Sequence, residues 1–204
     1  MLSGAAGAIE ALRDDPALVP GVLARGVVVI AHPHPLFGGT MHNKVVQTLA
    51  RAFVQCGWHA VRFNFRGVGA SAGVHDGGRG ETDDMLAVVN QAVAPGMPLA
   101  LAGFSFGAFV AARALAELWA TRPVGAAVLV GTAASRFDVP ALPAEAHGRT
   151  LVVHGELDDT VPLSAVLDWA RPQTLPVTVV PGGGHFFHGQ LPLLKGLVAR
   201  HLGG

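Results

Sequence analysis

Short apolar runs alternate along the chain with longer stretches of helical periodicity. Residues 26–31 form a continuous run rich in β-branched side chains, which is typical of a strand buried on both faces. Residues 42–56 follow with apolar positions spaced as on one face of a helix, and Gly57 ends that helix. Strand–helix alternation of this kind predicts an α/β protein with a mostly parallel sheet and helices on both faces.

The same alternation continues to the end of the chain. Further strands are predicted at residues 59–64, 99–102, 124–130, 150–153 and 177–180, and further helices from near Thr82 and at residues 106–120, 161–170 and 191–202. Asp83 and Asp84 are expected in the first turn of the helix near Thr82, where the helix dipole favours negative charge. The segment before residue 25 is expected to supply one or two antiparallel strands. Because no repeat or linker interrupts the pattern, residues 1–204 are predicted to form a single domain.

The composition favours a globular protein and argues against polyanionic partners. Half of the residues are apolar, and 14 basic side chains balance 14 acidic ones. A balanced charge produces no long-range field that would recruit nucleic acid or anionic lipid. We therefore expect neither nucleic acid nor a membrane as a partner, while the oligomeric state is not indicated by the sequence.

Cysteine content and hydropathy predict a cytoplasmic location. The single cysteine, Cys56, cannot form an internal disulfide, and the first residues lack the basic and apolar regions of a secretory signal. The longest uncharged run, residues 85–112, is interrupted by polar and turn-forming residues. A helix–turn–strand–turn segment explains this run better than a membrane span.

The motif GFSFG at residues 103–107 carries the clearest chemical signal. It lies between a predicted buried strand and an alanine-rich helix, which is the setting of a nucleophile elbow. Such a tight turn needs small residues two positions on either side of the serine, and it exposes the serine oxygen at the carboxyl end of the sheet. Ser105 is therefore the candidate nucleophile.

A serine nucleophile needs a base and an acid that orients the base. The strand at residues 150–153 is followed by HGELDDTVP, and the strand at residues 177–180 is followed by PGGGHFFH. The carboxyl ends of parallel strands meet at one edge of a sheet, so both segments are expected near Ser105. The resulting chain order is Ser105, Asp158, His185, the order of serine, acid and histidine in this class of fold.

These segments together resemble the α/β-hydrolase superfamily, in particular its small lidless bacterial branch of hydrolases and carboxylesterases. The resemblance rests on HPHPLFGGTMHNKVV, VRFNFRGVGASAG, LAGFSFGAFVA, VVHGELDDTVP and GGGHFFHG, and it spans nearly the whole chain. It implies the α/β-hydrolase fold and a serine hydrolase that acts on an ester or a similar acyl bond. It also implies Asp158 as the acid and His185 as the base, and it implies no particular physiological substrate.

Neighbouring residues compete for two of these roles. Glu156 and Asp159 lie in the same loop as Asp158, and Asp138 follows the preceding strand, where some relatives carry the acid. The alternative for these three carboxylates is that each is an ordinary solvated charge in a loop, without a part in catalysis.

The other histidines are expected to be structural or unpaired with a metal. His188, one helical turn after His185, and His154, at the end of a strand, are expected to be structural. The histidines His32, His34 and His42, or His185 with His188, lack the spacing of a metal site, so we expect no metal.

Two backbone N–H groups must stabilise the oxyanion formed during acyl transfer. One is expected from Phe106, the residue after the nucleophile. The other is expected from residues 32–39, in which Pro33 and Pro35 have no N–H to donate. By resemblance to the His-Gly-x pattern, Leu36 is the second donor, although Phe37 next to it is an alternative that the sequence leaves open.

The remaining features shape the expected substrate cleft. Residues 131–149, where larger relatives insert a cap, number only 19 and include two prolines, so no helical lid is expected over the cleft. Its apolar walls are expected from aromatic residues that could equally belong to the core, namely Phe37, Phe104, Phe106 and Phe186. The glycines at residues 67–73 do not have dinucleotide-binding spacing, and no cofactor is expected.

These observations predict a serine hydrolase that cleaves short-chain carboxylic esters through an acyl-enzyme. The substrate is expected to be a small-molecule ester or another acyl compound. A thioesterase, an amidase or peptidase, or a perhydrolase could use the same three residues, since the fold does not decide among these reactions. A non-catalytic binding protein with the same fold is the remaining alternative, and the presence of Ser105, Asp158 and His185 together argues against it.

Overall fold

The buried apolar runs form neighbouring strands in a computed structural model of the protein, which describes residues 1–17, 19 and 21–203. The strands are β1 (Leu2–Gly4), β2 (Gly7–Ile9), β3 (Ala11–Asp14), β4 (Val27–Ala31), β5 (His59–Phe63), β6 (Leu99–Phe104), β7 (Val124–Val130), β8 (Thr150–Gly155) and β9 (Val177–Val180). Seven of them form one sheet in the order β3-β5-β4-β6-β7-β8-β9. All its neighbours pair in parallel except β3, which runs antiparallel to β5.

Helices cover both faces of this sheet, as the alternation predicts. They are α1 (Lys44–Gln55), α2 (Arg79–Ala92), α3 (Phe106–Leu118), α4 (Leu163–Ala170) and α5 (Leu191–Gly203). On one face, Ile30 of β4 belongs to a buried cluster with Phe53 of α1 and Leu194 of α5. On the other face, the adjacent Val29 belongs to a cluster with residues of α2, α3 and α4. Consecutive strand residues thus fill two separate cores, which explains the uninterrupted apolar run of β4.

The N-terminal segment supplies three short strands, one more than the upper number expected. β3 joins the edge of the main sheet, and β1 and β2 pair only with each other, antiparallel. The extra pair closes through a tight turn in which Gly4 lies opposite Gly7. Gly7 has a φ of 118°, a conformation that glycine adopts without steric cost.

Helix α2 begins at Arg79, three residues before the predicted start near Thr82. Its first turn therefore contains Glu81 instead of the two aspartates. The buried Glu81 carboxylate accepts hydrogen bonds from the backbone N–H groups of Gly78 (2.8 Å) and Asp76 (2.9 Å). Asp84 has a different function, because its buried carboxylate forms an ion pair with Arg66 at 2.8 Å and thereby fixes the loop after β5.

The segment between β7 and β8 contains no lid. Residues 131–149 form turns and one short 3₁₀ helix, Ala144–Arg149, so the carboxyl edge of the sheet stays open as predicted. Within the described ranges, none of the helices has the length and apolar character needed to cross a membrane.

Candidate active site

Ser105 occupies the turn between β6 and α3 in an unusual backbone conformation. Its φ is 57° and its ψ is −117°, a combination that costs an L-residue about 1–3 kcal/mol and is found at nucleophile elbows. The Ser105 N–H donates to the Val130 carbonyl oxygen of neighbouring β7 at 2.8 Å, which helps to hold the turn in place. The strain is therefore maintained by the surrounding sheet.

The two glycines of the GFSFG motif are required by close packing around this turn. A Cβ atom on Gly103 would overlap the backbone of Gly107, and one on Gly107 would overlap the carbonyl groups of Ala31 and His32. Helix α3 thus begins in direct backbone contact with the ends of β4 and β6. The spacing of the motif follows from this contact, as the sequence predicts.

The structure brings Ser105, His185 and Asp158 into one chain of hydrogen bonds. Ser105 Oγ lies 3.0 Å from His185 Nε2, and His185 Nδ1 lies 2.7 Å from Asp158 Oδ2. Ser105 follows β6, Asp158 follows β8 and His185 follows β9, so three parallel strands of one sheet supply the three side chains, with β7 between the first two. All three residues are buried, with Ser105 at the base of a cleft. This is the geometry of a nucleophile, a base and an orienting acid.

The Asp158 carboxylate is held in its charged form by the residues around it. Burial raises the pKa of Asp158, but the hydrogen bonds from His185 and from the Val161 N–H, together with the nearby imidazoles, lower it below its ordinary value. Oδ1 accepts the N–H groups of Val161 (2.7 Å) and Thr160 (3.0 Å), which leaves Oδ2 for His185. The orientation of this carboxylate is therefore fixed by the backbone that follows it.

The competing carboxylates lie away from this arrangement. Glu156 is exposed and accepts the N–H of Gly182 at 2.8 Å, and Asp159 is exposed next to the hydroxyl of Thr160. Asp138 is also exposed and lines a separate depression on the surface. Asp158 is thus the carboxylate that contacts His185 in this structure.

The histidines expected to be structural have separate positions. His188 is exposed, with its ring centre 6.0 Å from that of Phe186. His154 is fully buried behind the acid, where its Nε2–H donates to the Val161 carbonyl oxygen at 2.9 Å and lies 3.4 Å from Asp158 Oδ2. Burial lowers the pKa of His154. His154 thus supports the loop that carries Asp158.

His32 fixes the start of the loop that follows β4. Its Nδ1–H donates to the Pro33 carbonyl oxygen at 2.6 Å, and its Nε2 accepts the Phe65 N–H at 3.0 Å. Burial lowers the pKa of His32 from 6.5 to about 4, so the ring is neutral at physiological pH. Both ring nitrogens are used within the fold and neither is available to a metal.

This buried imidazole predicts a specific pH dependence of stability. Above pH 6.5, His32 is neutral in both states, whereas between pH 6.5 and about 4 the unfolded chain binds a proton that the folded chain does not. Stability is therefore lost as the pH falls through this window, by about 3 kcal/mol from this residue. The free energy of unfolding, measured with urea at pH 7 and at pH 4, should therefore decrease by about 3 kcal/mol more in the wild type than in His32→Gln.

The exposed His188→Gln provides the matched control for this measurement, because it removes a histidine outside the core. Equal losses of unfolding free energy in the wild type and in His32→Gln would contradict the prediction.

The structure does not agree with Leu36 as the second oxyanion donor. Residues Pro35–Phe37 form a 3₁₀ turn in which the Leu36 N–H donates to His34 Nδ1 at 3.2 Å and the Phe37 N–H donates to the His34 carbonyl oxygen at 3.1 Å. Leu36 is also 70% exposed and does not line the cleft. The His34 N–H, in contrast, has no acceptor within the described part of the chain, and His34 lines the same cleft as Ser105 and Phe106. His34 therefore replaces Leu36 and Phe37 as the candidate.

The cleft above Ser105 has a volume of about 330 Å³ and mostly apolar walls. Phe37, which is 80% exposed, Phe106 and Phe186 line it as predicted, and Phe137 extends the aromatic surface. Phe104 does not line the cleft, because it is fully buried in β6 with its ring centre 4.9 Å from that of His185. The prediction of Phe104 as a substrate contact is wrong: this ring supports the base from behind.

A second acid–imidazole pair, which the sequence pattern does not predict, lies beside the candidate oxyanion donors. His75 Nδ1 is 2.7 Å from Oε1 of the buried Glu81. The ring centre of His75 lies 4.7 Å from that of His34 and 5.5 Å from that of Phe106. The pair therefore packs against the rings of both residues whose N–H groups are the candidate donors, and the position of Glu81 near the start of α2 is the signal that the sequence offers for it.

A metal would need several convergent ligands. Within residues 1–17, 19 and 21–203, there is no group of three or more histidine, cysteine or acidic side chains with suitable proximity.

Known proteins resemble this chain in both sequence and structure. Residues 23–146 match the family described as serine aminopeptidase, S33 (Hydrolase_4). An α/β serine hydrolase without a lid from Xanthomonas campestris is 39% identical, with a TM-score of 0.86 over 98% of this chain and 91% of that chain. An α/β serine hydrolase homologue from Coxiella burnetii is 36% identical, with a TM-score of 0.81 over 98% of this chain and 95% of that one.

An uncharacterised protein of Rickettsia prowazekii is 41% identical over 88 residues. The matched region is 42% of this chain and 37% of the curated relative, so it spans little more than a third of that protein's length.

Proposed function

We propose that this chain, which belongs to the α/β serine hydrolase family, hydrolyses short-chain carboxylic esters through an acyl-enzyme on Ser105. The observation that carries this proposal is the hydrogen-bonded chain Ser105–His185–Asp158 at the base of an open cleft. A buried serine hydroxyl within 3.0 Å of an imidazole is positioned for activation as a nucleophile.

Acylation begins when Ser105 Oγ transfers its proton to His185 Nε2 and attacks the ester carbonyl carbon. The π electrons of the carbonyl move to its oxygen, and a tetrahedral oxyanion forms. The carbonyl then re-forms while the bond to the alcohol oxygen breaks, and the imidazolium returns its proton to that leaving oxygen. Asp158 orients His185 and stabilises its positive charge in this step without accepting the proton.

Deacylation repeats these steps with water as the nucleophile. His185 removes a proton from water as the oxygen attacks the acyl carbon, and a second oxyanion forms. The bond to Ser105 Oγ then breaks, and Oγ recovers its proton from His185. The products are one carboxylic acid and one alcohol, and the enzyme is regenerated.

The N–H groups of Phe106 and His34 are the proposed donors to both oxyanions. Phe106 is the first residue of α3, whose initial N–H groups have no acceptor within the helix. In this mostly apolar cleft, two such donors contribute several kcal/mol to transition-state stabilisation.

Short esters are favoured because the cleft is open and no lid covers a long acyl chain. We expect kcat/KM to fall from p-nitrophenyl acetate to butyrate to octanoate, measured by the release of p-nitrophenolate. The proposal would be contradicted by a steep rise towards octanoate, or by the absence of hydrolysis of all three esters.

Peptide cleavage is a second candidate function, because residues 23–146 match a family described as a serine aminopeptidase. A thioester and an anilide of the same acyl group would separate ester hydrolysis from thioesterase and amidase or peptidase activity. Addition of hydrogen peroxide would reveal perhydrolysis.

A non-catalytic binding role is the remaining alternative. It would be favoured if Ser105 failed to react with a fluorophosphonate probe and no ester, thioester or anilide was hydrolysed. The cytoplasmic location stays a prediction from the sequence.

A further inference from the structure

Among the described residues, Arg136 is the one side chain with a permanent charge that lines the cleft. No aspartate or glutamate side chain of the described residues lines it, and its two histidines, His34 and His185, add polar ring nitrogens. Asp158 is hydrogen-bonded to His185 and does not line the cleft. A site with this lining favours a ligand that carries negative charge.

Arg136 has a fixed backbone and a free side chain. It lies in a turn after β7, where its N–H and that of Phe137 both donate to the Ala133 carbonyl oxygen at 3.1 Å. Its guanidinium group forms no hydrogen bond or ion pair with any residue that the structure describes, although Asp138 is two positions away and lines another depression. Burial lowers the pKa of the cleft residue His34 most, the neighbouring His75 lowers it further, the Glu81 carboxylate raises it, and the Arg136 guanidinium lowers it.

Two further groups in the cleft present hydrogen-bond donors. Asn43 caps α1 by accepting the Val45 N–H with its side-chain oxygen at 2.9 Å, which leaves its NH₂ group unused by the cap. His34 accepts the Leu36 N–H with Nδ1, so the neutral ring carries its hydrogen on Nε2. Like the guanidinium group, these groups donate hydrogen bonds into the cleft lining, and a carboxylate supplies acceptor oxygens for such donors.

We propose that the cleft takes esters that carry a carboxylate group in addition to the scissile ester bond, and that Arg136 binds this carboxylate. Arginine suits this role because its planar guanidinium group can donate two parallel hydrogen bonds to a carboxylate. The aromatic walls formed by Phe37, Phe137 and Phe186 then contact the apolar part of the substrate. This inference rests on the proposed ester hydrolysis and specifies its substrate class.

Two matched pairs of esters test the inference and locate the carboxylate. For the acyl side, p-nitrophenyl hydrogen adipate is compared with p-nitrophenyl methyl adipate. For the alcohol side, 4-acetoxybenzoate is compared with methyl 4-acetoxybenzoate. Within each pair, the two esters differ in one negative charge and one methyl group, and the ratio of their kcat/KM values for cleavage of the phenyl ester bond is the measured quantity.

We expect the wild type to prefer the charged ester by about 10- to 100-fold in at least one pair, the range for a charge-assisted pair of hydrogen bonds. The ratio should fall to about 1 in Arg136→Gln and be partly retained in Arg136→Lys, which keeps the charge without the planar group. Higher salt should reduce the wild-type preference. Arg200→Gln is the matched control, because Arg200 is an exposed arginine in the last turn of α5 and lies outside the cleft.

The outcomes separate this inference from the proposed function. Hydrolysis of the neutral esters with a ratio that is the same in the wild type and in Arg136→Gln would overturn the role of Arg136 and leave the esterase intact. A wild-type preference for the neutral ester in both pairs would do the same. No hydrolysis of any of the four esters would overturn the proposed function and this inference with it.

Discussion

Replacing Ser105 with alanine is expected to reduce kcat for ester hydrolysis by about 10⁶-fold, the effect typical of losing the nucleophile of a serine hydrolase. The reason is that no acyl-enzyme can form, and His185 and Asp158 have no hydroxyl to activate. Ser105→Ala leaves both oxyanion donors in place, so a small residual rate above the uncatalysed reaction is expected. The measurement compares p-nitrophenyl acetate hydrolysis by the purified wild type and the variant.

Ser164→Ala is the matched control, because it removes a hydroxyl from an exposed position on α4. It should retain wild-type activity. Mass spectrometry after fluorophosphonate treatment should find the label on Ser105 in the wild type and in Ser164→Ala. Activity of Ser105→Ala near the wild-type level would exclude Ser105 as the nucleophile.

Replacing Asp158 with asparagine is expected to reduce kcat by about 10⁴-fold, with a smaller effect on KM. The asparagine NH₂ group would donate to His185 Nδ1, which then places the ring hydrogen on Nε2. An imidazole in that tautomer cannot accept the proton of Ser105. The expected loss thus comes from the wrong proton position with little change in geometry, and steady-state kinetics at pH 7–8 would measure it.

The neighbouring Asp159→Asn supplies a stringent control. It makes the same chemical change one residue away, on an exposed carboxylate that does not contact His185. Its kcat should stay within about twofold of the wild type, since surface substitutions of this kind have small effects. Equal losses in the two variants would show that the loop, rather than the Asp158 carboxylate, is responsible.

The parts of the site that sequence analysis could predict are those tied to strand ends. Ser105 follows β6, Asp158 follows β8 and His185 follows β9, so recognising the strands was enough to place the three residues at one edge of the sheet. The glycines around Ser105 added a local steric requirement that is visible in the sequence. Long-range proximity could be inferred here because parallel topology makes it a consequence of local pattern.

The errors concern features that depend on side-chain or turn geometry. The His-Gly-x pattern, placed on His34, predicts Leu36 as the donor, whereas the 3₁₀ turn after His34 uses the N–H groups of Leu36 and Phe37 internally. Phe104 lies in a strand covered on both faces, and an apolar residue there gives no sign of which face it occupies. Arg136 lies in an irregular segment without periodicity, so the sequence does not indicate that its side chain lines the cleft.

The positive φ of Ser105 affects how this protein would evolve under selection for heat resistance alone. Glycine would relieve most of the backbone strain at this position, while every copy that carried it would lack the nucleophile. A library screened only for survival of the folded state would therefore become enriched in inert molecules. Thermal tolerance and turnover oppose each other at this residue, and variants chosen for one must be assayed for the other.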